Sequence, residues 1–439
     1  MNKIFNYLLE NISKILVIYF VSQVLLVIFW QLPFTSDSLY YYKLAQDCLK
    51  YHCIYPAKAQ LYEDYISAPL YVNITIIALL ICNSLKTIGI LNVLLNALQM
   101  YLFFNLSEKL FDRRTSLVGL LLYMLYLNTV GMVLMNLTEL LFGVLILTAI
   151  IFFYKNSVKS FFLSGLFAAA SIAVRPMGWG LASAFFIILI IRTIKKEKML
   201  KGLSAVVLGV SIFILVYGTI TKISFGDFIF SSSNGPVNLI IGANDDATGA
   251  FNTKVFDQGK IGYIGNPAAM TYVEKGKYWQ ENAEGWILAH PFKWLSLIPR
   301  KIFFMFILDD FTIPYLSHID GLYLPKLTKM IIQGKLFQTF TGKPFYLAIL
   351  YFIILIFNYI YYFYIMLILL FSIIKIRVHR IFNSKFFPII LFILLGLFIT
   401  IIAYGDARYK YPYMLFIILF VSQPVSRYLT GSKLFINKV

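Results

Sequence analysis

The hydrophobic positions of this chain gather into long runs separated by short polar or basic links. Apolar stretches fall near residues 11–32, 69–82, 88–104, 115–135, 139–154, 160–175, 179–192, 202–221, 346–374, 386–404 and 411–427. The runs at 11–32, 202–221, 346–374 and 386–404 approach or exceed the ~20 apolar residues that carry a helix across a bilayer. They predict an all-α polytopic membrane protein. The first run is long and has no small-residue cleavage site after it, so it reads as a span and not as a cleaved leader.

The basic links decide the path. Lys109, Arg113 and Arg114 form one cluster. Lys155 and Lys159 form a second, Arg192, Lys195, Lys196, Lys198 and Lys201 a third, and Lys375, Arg377, Arg380 and Lys385 a fourth. Cytoplasmic loops collect Lys and Arg. If every stretch spans and the N-terminus is inside, all four clusters fall outside. The conflict disappears when 69–82 lies on the outer face. That stretch has 14 residues, begins at Pro69 and carries Asn73 and Thr75, and stretches of this length are more often interfacial than spanning. About ten transmembrane helices remain, with both termini inside. The predicted organisation is an N-terminal transmembrane module at 1–221 with a first outward loop at 33–87, an outward loop region at 222–345, and C-terminal transmembrane helices at 346–439. Within the loop region, residues 294–308 read as an interfacial helix with a snorkelling pair, Arg300 and Lys301.

Composition agrees. The 439 residues are 60% hydrophobic, 18% aromatic and 13% charged, too little polar surface to cover a soluble globule of this size. The net charge of +18 follows the membrane sides, and no basic tract interleaved with aromatics suggests nucleic acid. All of the 20 carboxylates except Glu10, Glu108, Asp112 and Glu197 face outward on this path, which puts the chemistry there. Of the three cysteines, Cys48 and Cys53 share an outward loop, where a disulfide and two free thiols both stay open.

Four outward places carry candidate chemistry. Asp37, just after the first span, is either a helix cap, as Ser36 also is, or a carboxylate whose low-dielectric surroundings make it a better base. Tyr40 and Tyr41 follow on the same predicted helix. Glu139, behind Asn136-Leu137-Thr138, stands beside hydrocarbon, where a carboxylate is costly; the bland reading is a helix start capped by Thr138. Arg175, before Pro176, and the pair Arg408 and Lys410 with Tyr409 break the charge rule on the outer side. They suit a lipid phosphate, with surface anchoring as the alternative. His290, with Trp279, Glu281, Glu284 and Trp286 before it, could line a sugar pocket. No Asp-X-Asp occurs, and Asp245-Asp246 and Asp309-Asp310 are adjacent pairs whose side chains diverge in regular structure, so the spacing supports no metal site and leaves a divalent metal open. A P-loop and a Gly-rich dinucleotide turn are absent as well.

In this order the pieces resemble the GT-C class of membrane glycosyltransferases, in particular the bacterial relatives of protein O-mannosyltransferases and of the lipid A aminoarabinose transferase, the family 39-like enzymes. They are Ser36-Asp37-Ser38 with Tyr40 or Tyr41 and Ala45, Ala68-Pro69-Leu70, Thr138-Glu139, Gly165 through Arg175-Pro176, Ala289-His290-Pro291, and Arg408-Tyr409 with Pro412. Ala68-Pro69 departs from the Pro-Pro of many members, and the first loops hold fewer carboxylates than in metal-using relatives. The resemblance implies a bacterial plasma-membrane enzyme that takes a sugar from a polyprenyl-phosphate donor on the outer face. The acceptor is a lipid, glycan or protein. Asp37 would be the general base, and Arg175 and Arg408 would face the donor phosphate. Glu139 is a second catalytic candidate, Lys410 a further phosphate ligand, and Tyr40, Tyr41, His290 and Tyr409 candidate substrate contacts. The rival class is a transporter or flippase of lipid-linked sugars, which usually places charge at mid-membrane and shows paired halves. A non-catalytic scaffold and a polymerase-type enzyme are further alternatives.

Overall fold

A computed structural model of the chain describes residues 7, 8, 10–319, 321–335, 340, 344–375 and 385–430. Arg377 and Arg380 of the fourth basic cluster, and the C-terminal residues 431–439, lie outside the described residues. Among those described, the chain is helical, with one isolated backbone bridge between Ala250 and Gly405.

Among the described residues, four helices are long and apolar enough to cross a membrane: α1 (Ile12–Trp30), α4 (Leu85–Leu110), α10 (Leu200–Ser224) and α16 (Phe345–Lys375), the last apolar through Ile374. A fifth candidate is the pair α5 (Arg113–Leu125) and α6 (Leu127–Val133), bent by 60° at Tyr126. The expected single stretch at 115–135 is therefore a broken one. The break is held from outside: Tyr361 donates to the Leu122 carbonyl at 2.6 Å, and Tyr126 caps nothing but points its hydroxyl at Asp309.

The other expected spans are shorter. They are α7 (Glu139–Tyr154), α8 (Val158–Val174), α9 (Gly178–Ile194) and α17 (Phe387–Ile402), each of 16 or 17 residues. At 1.5 Å per residue such a helix covers roughly 25 Å, just short of a ~30 Å hydrocarbon layer. α18 (Tyr411–Thr430) closes the described chain. α7 is buried along nearly its whole length, packed against α4 and α8, whereas α1 turns most of its side chains outward. A helix that is apolar all round belongs in the centre of a bundle or in lipid, and these two occupy those two places.

α8 and α10 approach closely because Gly165 has no side chain: a Cβ there would meet the Val206 carbonyl oxygen at 2.2 Å. Small residues at helix crossings make such contact between apolar helices.

Two shorter helices frame one end of the bundle. α2 (Ser36–Lys50) and α3 (Pro69–Ile81) pack on each other, and α3 starts with Pro69 in the first turn, where its missing N–H costs nothing. The later region carries α11 (Gly235–Gly242), α12 (Tyr272–Ala289) and α13 (Pro291–Ile307), then α14 (Ile313–Leu316) and α15 (Leu324–Ile332). α12 opens with a capping box, Thr271 and Glu274 each bonding the other's backbone N–H. α13 covers the expected interfacial helix, with Pro299 inside it. The snorkelling pair does not form as expected. Arg300 is exposed, but Lys301 is buried, its Nζ donating to the Ile402 carbonyl at 3.1 Å and lying 5.3 Å from the Trp294 ring centre. The helix turns Lys301 toward the 403–405 backbone instead of the surface.

Candidate functional site

Four chain segments far apart in sequence end at one place: the first turn of α2, the start of α7, the end of α8, and the 3-10 turn Ala407–Lys410 before α18. α8 stops at Val174 because Arg175 precedes Pro176 and is held extended. The 407–410 turn is set by Asp406, whose carboxylate accepts from the Arg408 N–H at 2.8 Å. It is pressed into place by Gly405, whose N–H donates to the Gly249 carbonyl at 2.8 Å; a Cβ at 405 would meet the Lys301 carbonyl oxygen at 2.0 Å.

The four segments bring Asp37, Glu139, Arg175 and Arg408 together. Arg408 bridges the two carboxylates: Nε bonds Glu139 Oε1, Nη2 reaches Glu139 Oε2 at 3.4 Å, and Nη1 bonds Asp37 Oδ2. Arg175 Nη1 lies 2.7 Å from Glu139 Oε1. Nη1 is buried, and this ion pair is the contact it makes. Thr138 donates to Glu139 Oε2 at 3.3 Å and leaves the backbone of α7 without a side-chain cap.

Exposure falls steeply across the cluster. The side chains are 59% exposed at Asp37, 11% at Arg408, 9% at Arg175 and 0% at Glu139. The four formal charges sum to zero, so a carboxylate that could not stand alone beside hydrocarbon is matched by two guanidinium groups. Burial lowers the proton affinity of Arg408, but Glu139 and Asp37 outweigh it and hold the guanidinium above its ordinary value. Burial pushes the nearby Asp406 carboxyl up.

Asp37 therefore does not cap α2. No side-chain cap bond forms at this helix start, Ser36 sits at φ 46°, and the carboxylate is committed to Arg408. Aromatic rings wall the cluster. Tyr409 lies 5.7 Å from the Arg175 guanidinium and Phe311 5.6 Å from that of Arg408. Tyr41 packs edge-on against Tyr71 at 5.5 Å, and Tyr40 lies beside Tyr41 and Tyr65. Two residues not anticipated from the sequence tie α2 down: Asn136 accepts from the Tyr71 hydroxyl at 2.8 Å and donates to the Ser38 carbonyl at 3.3 Å. The signal was at hand, since Asn136 adjoins Thr138-Glu139.

Lys410 stands apart from this cluster. Its Nζ lies 3.0 Å from Asp309 Oδ1 and also donates to the Leu308 carbonyl. Asp309 accepts further from Tyr126 and from Asn128, each at 3.0 Å, and both members of the ion pair are 1% exposed. Burial raises the Asp309 carboxyl and lowers the Lys410 amine from their ordinary values. With its charge already matched, Lys410 is a structural cation in this arrangement.

His290 is also elsewhere. It links α12 to α13, exposed, with its ring 5.2 Å from Trp286 and Nδ1 3.2 Å from the Trp286 carbonyl. Trp279 and Trp286 form no open shelf. Both are buried with Ile240, Ile241, Val255 and Tyr404, and their indoles donate to the Gly262 carbonyl at 2.8 Å and to Asp245 at 3.1 Å. Among the described residues no group of three or more His, Cys, Asp or Glu could hold a metal ion.

Searches against protein-family models, curated proteins and solved structures find no match to this chain.

Proposed function

We propose that the chain is an inverting glycosyltransferase of the cell membrane, moving a sugar from a polyprenyl-phosphate donor to an acceptor on the outer face. The observation that carries this reading is the Asp37–Arg408–Glu139–Arg175 cluster: an accessible carboxylate joined to two guanidinium groups around a buried glutamate. In the reaction, Asp37 takes the proton from the acceptor hydroxyl or amine. The acceptor atom attacks the anomeric carbon, the bond to the phosphate oxygen breaks, and polyprenyl phosphate leaves with the electron pair. The cluster has no net charge at rest. Once Asp37 is protonated it carries one positive charge, at the moment the leaving phosphate gains negative charge. Arg175 and Arg408 are bidentate donors suited to that oxyanion, and Glu139 holds both in place. Tyr41 and Tyr409 would flank the sugar. A single displacement on one carbon inverts its configuration.

The cluster also favours a ten-span path, which puts both termini on one side of the membrane. Asp37 and Glu139 meet, so an even number of crossings separates them. α4 and the bent pair supply two; counting α3 would make three. α7 and α8 supply the two between Glu139 and Arg175. α9, α10, α16 and α17 supply the four between Arg175 and Arg408.

The test is transfer of label from radiolabelled polyprenyl-phosphate sugars to an envelope extract by purified protein in lipid, wild type against Asp37→Asn. Asp37-dependent transfer supports the reading. Normal turnover by Asp37→Asn removes Asp37 from its role. Movement of labelled lipid between leaflets without transfer turns the assignment to a flippase.

A further inference from the structure

α2 carries Asp37 in its first turn and ends, three turns later, in a different piece of chemistry. Its last residue is Lys50, Tyr51 is the cap, and His52 follows at φ 51°, in the left-handed region. The His52 N–H donates to the Leu49 carbonyl at 3.2 Å and the Cys53 N–H to the Cys48 carbonyl at 3.0 Å. This pair of bonds is the Schellman ending, which brings the side chain two past the cap against the one three back from the helix end. An apolar pair usually fills those two positions. Here both are cysteines.

Both are free thiols, and the Cys53 thiol donates to the Cys48 carbonyl at 3.7 Å. Cys48 is buried and Cys53 half-exposed. Together they line one side of a cavity of about 480 Å³ whose other walls include Tyr55, Asn73 and Tyr217. The local backbone therefore places the two cysteines side by side at the end of α2, both lining one opening.

We propose that Cys48 and Cys53 form a reversible dithiol–disulfide site, closed by exchange with an external disulfide. Cys53 is the entry sulfur because it is the accessible one. Its thiolate attacks one sulfur of the incoming disulfide, giving a mixed disulfide and releasing one thiolate. Cys48 then gives up its proton and attacks Cys53 Sγ, and the second thiolate leaves. The protein dithiol is oxidised, the external disulfide is reduced to two thiols, and the two cysteine protons end on those thiols. Burial pushes the Cys48 thiol up, which suits a resolving sulfur and not an attacking one. The site stands independently of the glycosyl-transfer reading.

The experiment uses the intact protein in lipid, folded, equilibrated with oxidised glutathione, acid-quenched, and then alkylated in denaturant with a mass-shifting maleimide. Cys48 and Cys53 are expected to become unreactive in a Cys48–Cys53 linked peptide that dithiothreitol dissolves, while the exposed Cys82 carries at most a glutathione adduct. Cys48→Ser is expected to stop at a glutathione adduct on Cys53. Cys53→Ala, at a half-exposed position, is expected to leave Cys48 free and unmodified. Three thiols still reactive after equilibration, or a linked peptide that contains Cys82, overturns the proposal.

Discussion

Arg408 and Lys410 come from one 3-10 turn, yet they enter opposite electrostatic worlds. A 3-10 turn has three residues per revolution, so side chains two apart point well away from each other. Arg408 reaches Glu139 and the exposed Asp37, in a group that also holds Arg175. Lys410 reaches Asp309, a carboxylate further held by Tyr126 and Asn128 and sealed from water. The first cluster is open to solvent at Asp37. The second is closed. A buried pair satisfied from every direction suits architecture; one that keeps an accessible acid suits binding and proton transfer.

Perturbing each cluster should separate rate from stability. The largest effect is expected at Asp37: Asp37→Asn should lower turnover by about 10²–10⁴ in the transfer assay. Thermal unfolding should stay nearly unchanged, because an exposed ion pair is worth at most about 1 kcal/mol. Lys410→Met should do the reverse, destabilising by about 3–5 kcal/mol through an unpaired buried carboxylate. Joint replacement, Lys410→Met with Asp309→Asn, should recover most of that loss. A single variant as stable as wild type would contradict the closed pair. Arg175→Met is expected to cost about 10²–10³ in turnover, read as kcat at saturating donor, since its donor is aimed at charge that develops late.

The smallest effect lies at Lys301, which touches neither cluster. Burial lowers its amine from 10.5 to about 8. Between those values the unfolded chain binds a proton that the folded chain does not, so stability should rise as pH increases from 8 to 10.5. The gain is on the order of 3 kcal/mol. Below pH 8 the burial penalty is present in full. Lys301→Met should flatten this rise; a flat profile in the wild type would place the amine in water.

What the sequence made legible follows from how local each signal is. Apolar runs announce themselves, and the long helices α1, α4, α10 and α16 fall where runs were read. Arg175 and Arg408 were conspicuous because each carries positive charge against the expected side. The choice of partner was not legible. Lys410 and Asp309 are 101 positions apart, and nothing near Arg408-Tyr409-Lys410 says which cation faces which acid. The break at Tyr126 was hidden for the same reason, as it contains neither Pro nor Gly and is stabilised by Tyr361 and by Asp309. Lys301 misled because a basic side chain on an amphipathic helix ordinarily reaches outward, and here the Ile402 carbonyl receives it.

The bond between Arg408 and Asp37 spans 371 positions and that between Arg408 and Glu139 spans 269. A ribosome adds roughly 5–20 residues per second, so Glu139 waits roughly 15–50 s for its second guanidinium. During that interval the nascent chain holds three corners of the cluster and lacks the fourth. Synthesis of residue 408 is thus the event that closes the cluster, and a chain cut short before it lacks the fourth corner however well its earlier helices have inserted.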